Sequence, residues 1–124
     1  MAQYRYQGNI LVKKTDREDY RFAVICNCND GKVSKVFIST TKDKVQAMFN
    51  TELNAYYRNI ENCTTAIQAI KEGRDSYVAK EGRGTRRISL KNKTIEYYED
   101  WMEENKKRLD YIVTHWQVVE VEKA

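Results

Sequence analysis

Between Lys80 and Asn92 the chain reads KEGRGTRRISLKN, with five cations, Lys80, Arg83, Arg86, Arg87 and Lys91, against one acid, Glu81. Such a stretch suits an anion. Arginine forks donate paired hydrogen bonds to phosphate or carboxylate, and glycines let backbone N–H groups come close to the same oxygens. Arg83, set between Gly82 and Gly84, supplies both kinds of donor. Arg86 and Arg87 are adjacent, so on a strand their forks leave opposite faces, and one is expected to turn inward or into an interface. The competing reading is a solvated turn whose charges serve solubility. No G-x-x-x-x-G-K-[ST] phosphate loop is present, and no helix follows Gly82-x-Gly84 to aim its dipole at a phosphate, so the G-x-G signal is weak.

Residues able to break bonds are scarce. His115 is the only histidine, so a nucleophile–His arrangement has one possible base, placed near the end of an amphipathic segment. Glu99 with Asp100, and Glu103 with Glu104, are neighbours in sequence and diverge around a helix, as solvated acids do. Cys26 and Cys28 share one face of a strand. With Cys63 and His115 they could be imagined as zinc ligands, but the spacing is wrong for a structural site and small core residues are the expected role. The reading is a binding protein, not an enzyme, with no metal and no cofactor.

Length and composition point the same way. A chain of 124 residues fits a single domain, 1–124. Its 22 basic and 18 acidic residues leave a net charge of +4, favouring acidic partners but falling short of a dedicated DNA binder. Ile, Leu, Val and Phe number 26, few for a core of this size, and nine Tyr and two Trp must make up the volume. A small domain with few aliphatics often completes its core against another copy, so a homo-oligomer is expected. An odd number of cysteines and no apolar run of membrane or signal-peptide length give a cytoplasmic protein with reduced thiols as the expectation.

The elements that must position these residues follow from periodicity. Tyr4, Tyr6, Ile10 and Val12, then Tyr20, Phe22, Val24 and Cys26, then Val36 and Ile38 alternate as three strands, separated by TDRED at 15–19 and NDGK at 29–32. Asp30-Gly31 predicts a two-residue turn with positive φ at both positions. From Val45 the period lengthens: Val45, Phe49, Leu53, Tyr56, Ile60, Cys63, Ile67 and Ile70 form one helical stripe, started by Thr41 or Asp43 and stopped at Gly73. Its opposite face carries Asn54, Arg58, Glu61 and Thr65, and the low charge around Arg58 suits a subunit contact or a pocket wall. Residues 76–90 read as a hairpin with EGRG at its tip. A second helix starts at Asn92 or Thr94, with Ile95, Tyr98, Met102, Leu109, Ile112 and Trp116 inward, and WQVVEVEK closes as a strand. The fold class is α+β: an N-terminal antiparallel meander, a long amphipathic helix, a basic hairpin, a second helix and a short C-terminal strand. Tyr77, on the hairpin, is either core or a ring for stacking on a base. Arg108, late in the second helix, either offsets the helix dipole or joins the anion site.

This order, with the long helix VQAMFNTELNAYYRNIENCTTAIQAI and the basic hairpin SYVAKEGRGTRRISL, resembles the phage-encoded anti-Thoeris sponge proteins, the first type of the Tad family. The resemblance covers most of the chain and lies in size, element order and charge. It implies a homo-oligomer in an infected bacterial host that holds cyclic ADP-ribose-type immune signals between subunits, without degrading them. Some members also hold cyclic oligonucleotides. By role and placement it brings Arg58, Tyr77, Arg87, Asn92 and Arg108 forward beside Arg83, Gly84 and Arg86. Two other classes stay open: a protein-binding inhibitor of a host defence nuclease, and a small nucleic-acid-binding module. The expected partner is a small anionic nucleotide, rather than a nucleic acid or a membrane.

Overall fold

A computed structural model describes all 124 residues. The fold is α+β, with eight strands in antiparallel sheets and two helices: β1 Ala2–Tyr6, β2 Asn9–Thr15, β3 Phe22–Asn27, β4 Val33–Ser39, α1 Lys42–Lys71, β5 Ser76–Lys80, β6 Thr85–Ser89, α2 Ile95–His115, β7 Trp116–Glu120 and β8 Glu122–Lys123. Residues 1–52 and 111–124 form one compact unit and 53–110 a second. Each helix begins in one unit and ends in the other. Neither helix is long and apolar enough to cross a membrane.

In the first unit the three predicted strands are four, because Gln7 and Gly8 reverse the chain inside the first of them, with φ of 47° and 80°. Two successive positive-φ residues make the twist that a tight hairpin needs, and Tyr6 pairs with Asn9 across it. Gln is an unusual residue for such a turn, so the sequence does not advertise it. Asp30-Gly31 is also not the turn expected: only Gly31 takes positive φ, at 83°. Gly31 N–H donates to the Cys28 carbonyl at 3.0 Å and Cys28 N–H to the Lys32 carbonyl at 2.8 Å, a three-residue loop closed by a glycine bulge.

Nor do the N-terminal strands form one meander. Their sheets run β2-β1-β8 and β4-β3-β7, each completed by a C-terminal strand. β3 is therefore central in its sheet, and it is also buried on both faces, with Ala23, Val24, Ile25 and Cys26 all inaccessible or nearly so. Ala23 and Ile25 pack with Ala2, Tyr4, Val119 and Val121. Tyr4 is wholly buried, yet its hydroxyl donates to the Arg17 carbonyl at 2.8 Å and accepts from Tyr20 N–H at 3.2 Å, so its polar tip is satisfied.

In the second unit α1 packs on the β5–β6 hairpin and the first turns of α2. Its fully buried positions are Asn62, Cys63, Ala66 and Ala69, with Ile67 and Ile70 half-buried beside them. This differs from the expected stripe, of which only Val45 and Cys63 are fully buried. Small residues line the seam because the hairpin backbone comes close, and larger ones flank it. Tyr77, Ala79, Leu90 and Tyr98 complete this core.

The helix ends are explained by capping. Thr41 Oγ1 accepts from Lys44 N–H at 3.3 Å and Thr94 Oγ1 from Tyr97 N–H at 3.1 Å, each satisfying one orphan donor of a first turn. Thr94, not Asn92, starts α2. At the end of α1, Gly73 has φ of 72°, its N–H donates to the Ile70 carbonyl and Arg74 N–H to the Ala69 carbonyl, both at 3.0 Å. That pair of bonds is the Schellman arrangement, which favours glycine at this position.

Candidate functional site

The cationic hairpin is held to α1 by one buried side chain. Asn62, 7% exposed, donates from Nδ2 to the Lys80 carbonyl and accepts at Oδ1 from Lys80 N–H, both at 2.8 Å. The amide thus pairs with the end of β5 as another strand would. Beside it Lys80 Nζ reaches Glu61 Oε1 at 2.6 Å. A second amide pair braces the helices within the same unit: Asn59 Nδ2 donates to Asn105 Oδ1 at 3.0 Å, and Asn105 Nδ2 to the Trp101 carbonyl at 2.7 Å.

Anchored in this way, the tip of the hairpin lies against Arg58. A Cβ placed on Gly82 would stand 3.9 Å from Arg58 Nη2, with nothing else within 4 Å. Arg58 is half-buried on α1 and Arg83 is exposed on the tip, and neither forms a salt bridge. Gly84 takes φ of 77° and its carbonyl accepts from Glu81 N–H at 3.1 Å, which closes the loop. The result is a surface where Arg58 of α1 lies against Gly82, and Arg83 follows that glycine on the exposed tip.

The other predicted residues fall in different places. Arg86 lies on the hairpin face of Ala79 and Tyr77, yet its head stays exposed and its Nε meets Glu81 Oε1 at 2.7 Å. Arg87, on the other face, is exposed and donates from Nη1 to Ser76 Oγ at 2.8 Å. So neither arginine is buried inward: Arg86, opposite buried Ala79, turns its head out to Glu81, and Arg87 shares the face of exposed Val78. Asn92 is exposed with φ of 62°, a backbone turn position before α2 that Asn tolerates better than most residues. Arg108 is exposed on α2, two turns before its end.

Tyr77 is core. It is 5% exposed and meets Tyr98 edge to face, ring centres 5.8 Å apart at 86°. Burial raises the phenol pKa of both, and their mutual hydrogen bond adds to the rise at Tyr98. The chain alone therefore presents no Tyr77 ring for a base. Tyr57, missed in the sequence, is 53% exposed and precedes Arg58 on α1, with Glu61 one turn further along. Its signal was its place outside the apolar stripe, since an aromatic on a polar face has no core to serve. A groove beside β5, lined by Thr64, Thr65, Gln68 and Val78, holds one arginine, Arg74, already paired with Glu72 at 2.8 Å.

Elsewhere, His115 has both ring nitrogens engaged, Nδ1 with the Tyr111 carbonyl at 2.8 Å and Nε2 with Asn29 Oδ1 at 2.7 Å. It stacks on Tyr111, ring centres 4.0 Å apart, as a structural residue would. No three His, Cys, Asp or Glu side chains come together in a way that could hold a metal ion. Comparison with protein-family models, with curated proteins and with solved structures found no match.

Proposed function

We propose that this protein is a phage anti-defence sponge: it binds a cyclic nucleotide immune signal, of cyclic ADP-ribose type or a cyclic oligonucleotide, and sequesters it without turnover. The observation that carries this reading is the Arg58 guanidinium, 3.9 Å from the Cβ position of Gly82, the residue that precedes the exposed Arg83. A phosphate seated there would receive charge-assisted hydrogen bonds from two elements held rigid by Asn62. The bare glycine leaves space that a larger side chain would fill. The resemblance to the anti-Thoeris sponges agrees with this site in charge and in the elements that build it.

The chemistry of the donors supports sequestration over hydrolysis. Guanidinium groups stay protonated at neutral pH and cannot take a proton from attacking water. The acids nearest the site, Glu61 and Glu81, are engaged with Lys80 and Arg86. The proposal includes assembly as a homo-oligomer. Met48, Tyr57, Val78, Tyr97 and Val113 are each more than 40% exposed, apolar surface that a second copy would cover.

The test is thermal unfolding with and without cyclic ADP-ribose and cyclic dinucleotides. A ligand at 100 times its Kd adds about 2.7 kcal/mol to stability. Chromatography of the ligand released afterwards should return it intact. No stabilisation by any of them overturns the sponge reading in favour of a protein-binding inhibitor. A linear product formed catalytically overturns sequestration.

A further inference from the structure

Cys26 and Cys28 were expected to be small core residues, and Cys26 is one, at 7% exposure. Cys28 is not. It lies past the end of β3 at the mouth of the Asn29–Gly31 loop, half-exposed, and its sulfur stands 3.5 Å from the sulfur of Cys26. Ser34 Oγ, 3.6 Å from Cys28 Sγ, flanks the pair, and neither cysteine is in a disulfide. Two residues of extended chain separate Cα atoms by about 6.6 Å, inside the range of about 4.4–6.8 Å that a disulfide spans. Closing the bond brings the two sulfurs from 3.5 Å to about 2.05 Å, with both side chains moving.

We infer that Cys26 and Cys28 form a reversible dithiol–disulfide site that reacts with small disulfides such as oxidised glutathione. The Cys28 thiolate, the accessible one, attacks one sulfur of oxidised glutathione. A mixed disulfide forms at Cys28 and one glutathione thiolate leaves. Cys26, giving its proton to water, then attacks the Cys28 sulfur and expels the second glutathione. In sum two protein thiols are oxidised, one glutathione disulfide is reduced to two thiols, and no other reactant is needed. The ring encloses a single intervening residue at the edge of the allowed geometry. Such a bond gains little from loop closure and is readily reduced, which makes it a switchable bond rather than a structural staple.

The pair is wired to its surroundings. Cys26 Sγ lies 3.5 Å from Tyr111 Oη, Tyr111 stacks on His115, and His115 Nε2 meets Asn29, the residue after Cys28. Closing the disulfide draws the Cys26 sulfur away from Tyr111 and strains the residue that holds His115. Because His115 is the only histidine, its ring resonances report this without ambiguity.

The experiment incubates the native, reduced chain with oxidised glutathione, then unfolds it in an alkylating agent and measures intact mass. The expected product carries one alkylated cysteine of the three, Cys63, and a proteolytic fragment holding the Cys26–Cys28 ring. The Cys26→Ser variant should retain glutathione on Cys28, and the Cys28→Ser variant should take up none. The His115 resonances should shift on oxidation, and excess reduced glutathione should restore three alkylatable thiols. Three alkylated cysteines after oxidation overturn the inference. So do glutathione left on Cys28 of the wild-type chain, a Cys28–Cys28 link between chains, or a ring that reduced glutathione does not open.

Discussion

Replacing Asn62 by Ala should separate the hairpin from α1, and the cost can be worked from the geometry. The substitution removes two hydrogen bonds of 2.8 Å, one to each side of the Lys80 peptide backbone. A net value of about 1 kcal/mol per bond gives about 2 kcal/mol, and an amide or carbonyl left unpaired near a 7%-exposed position adds up to about 2 kcal/mol more. The sum, roughly 2–4 kcal/mol, lowers the melting temperature by roughly 8–15 °C in a chain of this size. Lys80→Ala is the matched control. It keeps the backbone bonds and removes only the Lys80–Glu61 ion pair, whose side chains are 60% and 55% exposed, for a loss of at most about 1 kcal/mol. Thermal melts followed by circular dichroism decide between them. Asn62→Ala melting within a degree or two of wild type, or no lower than Lys80→Ala, would refute the claim that this amide fixes the hairpin.

Three further outcomes can be checked directly. Arg58→Ala and Arg83→Ala should each weaken cyclic nucleotide binding by about 1.5–3 kcal/mol in calorimetry, with melting of the free protein nearly unchanged, while Lys123→Ala leaves binding as it was. Gly73→Ala forces a side chain into φ of 72° and should cost about 1 kcal/mol or more, since the Schellman bonds leave that residue no other conformation; an unchanged melt would contradict it. Alkaline stability follows from burial, which pushes the Cys63 thiol up from 9.0 to about 11 and raises the phenols of Tyr77 and Tyr98 above their ordinary 10.0. The folded chain then holds protons that the unfolded chain has lost, so this stability is complete below about pH 9. It falls as pH rises, by up to about 1.4 kcal/mol per unit for each group between its unfolded and folded pKa. Melts from pH 8 to 11 should show the decline, with a gentler slope in Tyr98→Phe, and a flat profile would contradict the burial of these groups.

Much of the architecture was legible because local physics writes it in the sequence. The shift from a period of two to steps of three and four at Val45 marks the change from strand to helix. Thr41, Thr94 and Gly73 mark helix ends because each satisfies groups that a helix cannot satisfy itself. Residues 76–90 likewise read as a hairpin with a glycine-bracketed tip, and β5 and β6 form it. What the sequence left open depended on neighbours distant along the chain. The Gln7–Gly8 reversal is written in backbone dihedrals that Gln seldom adopts. β3 is central in its sheet because β7, ninety or more residues away, pairs along it, and its burial on both faces is something a period-two pattern does not report. Tyr77 could be core or stacking ring until Tyr98 was placed against it, and the half-buried Ile67 and Ile70 looked equal to the inner stripe until the hairpin approached α1 over Ala66 and Ala69. Arg58 was a cation on a quiet helix face in the sequence. Its neighbour on the hairpin was not legible: Asn62 holds Lys80 in place and Gly82 lies beside Arg58, pairings between residues eighteen or more apart that no periodicity encodes.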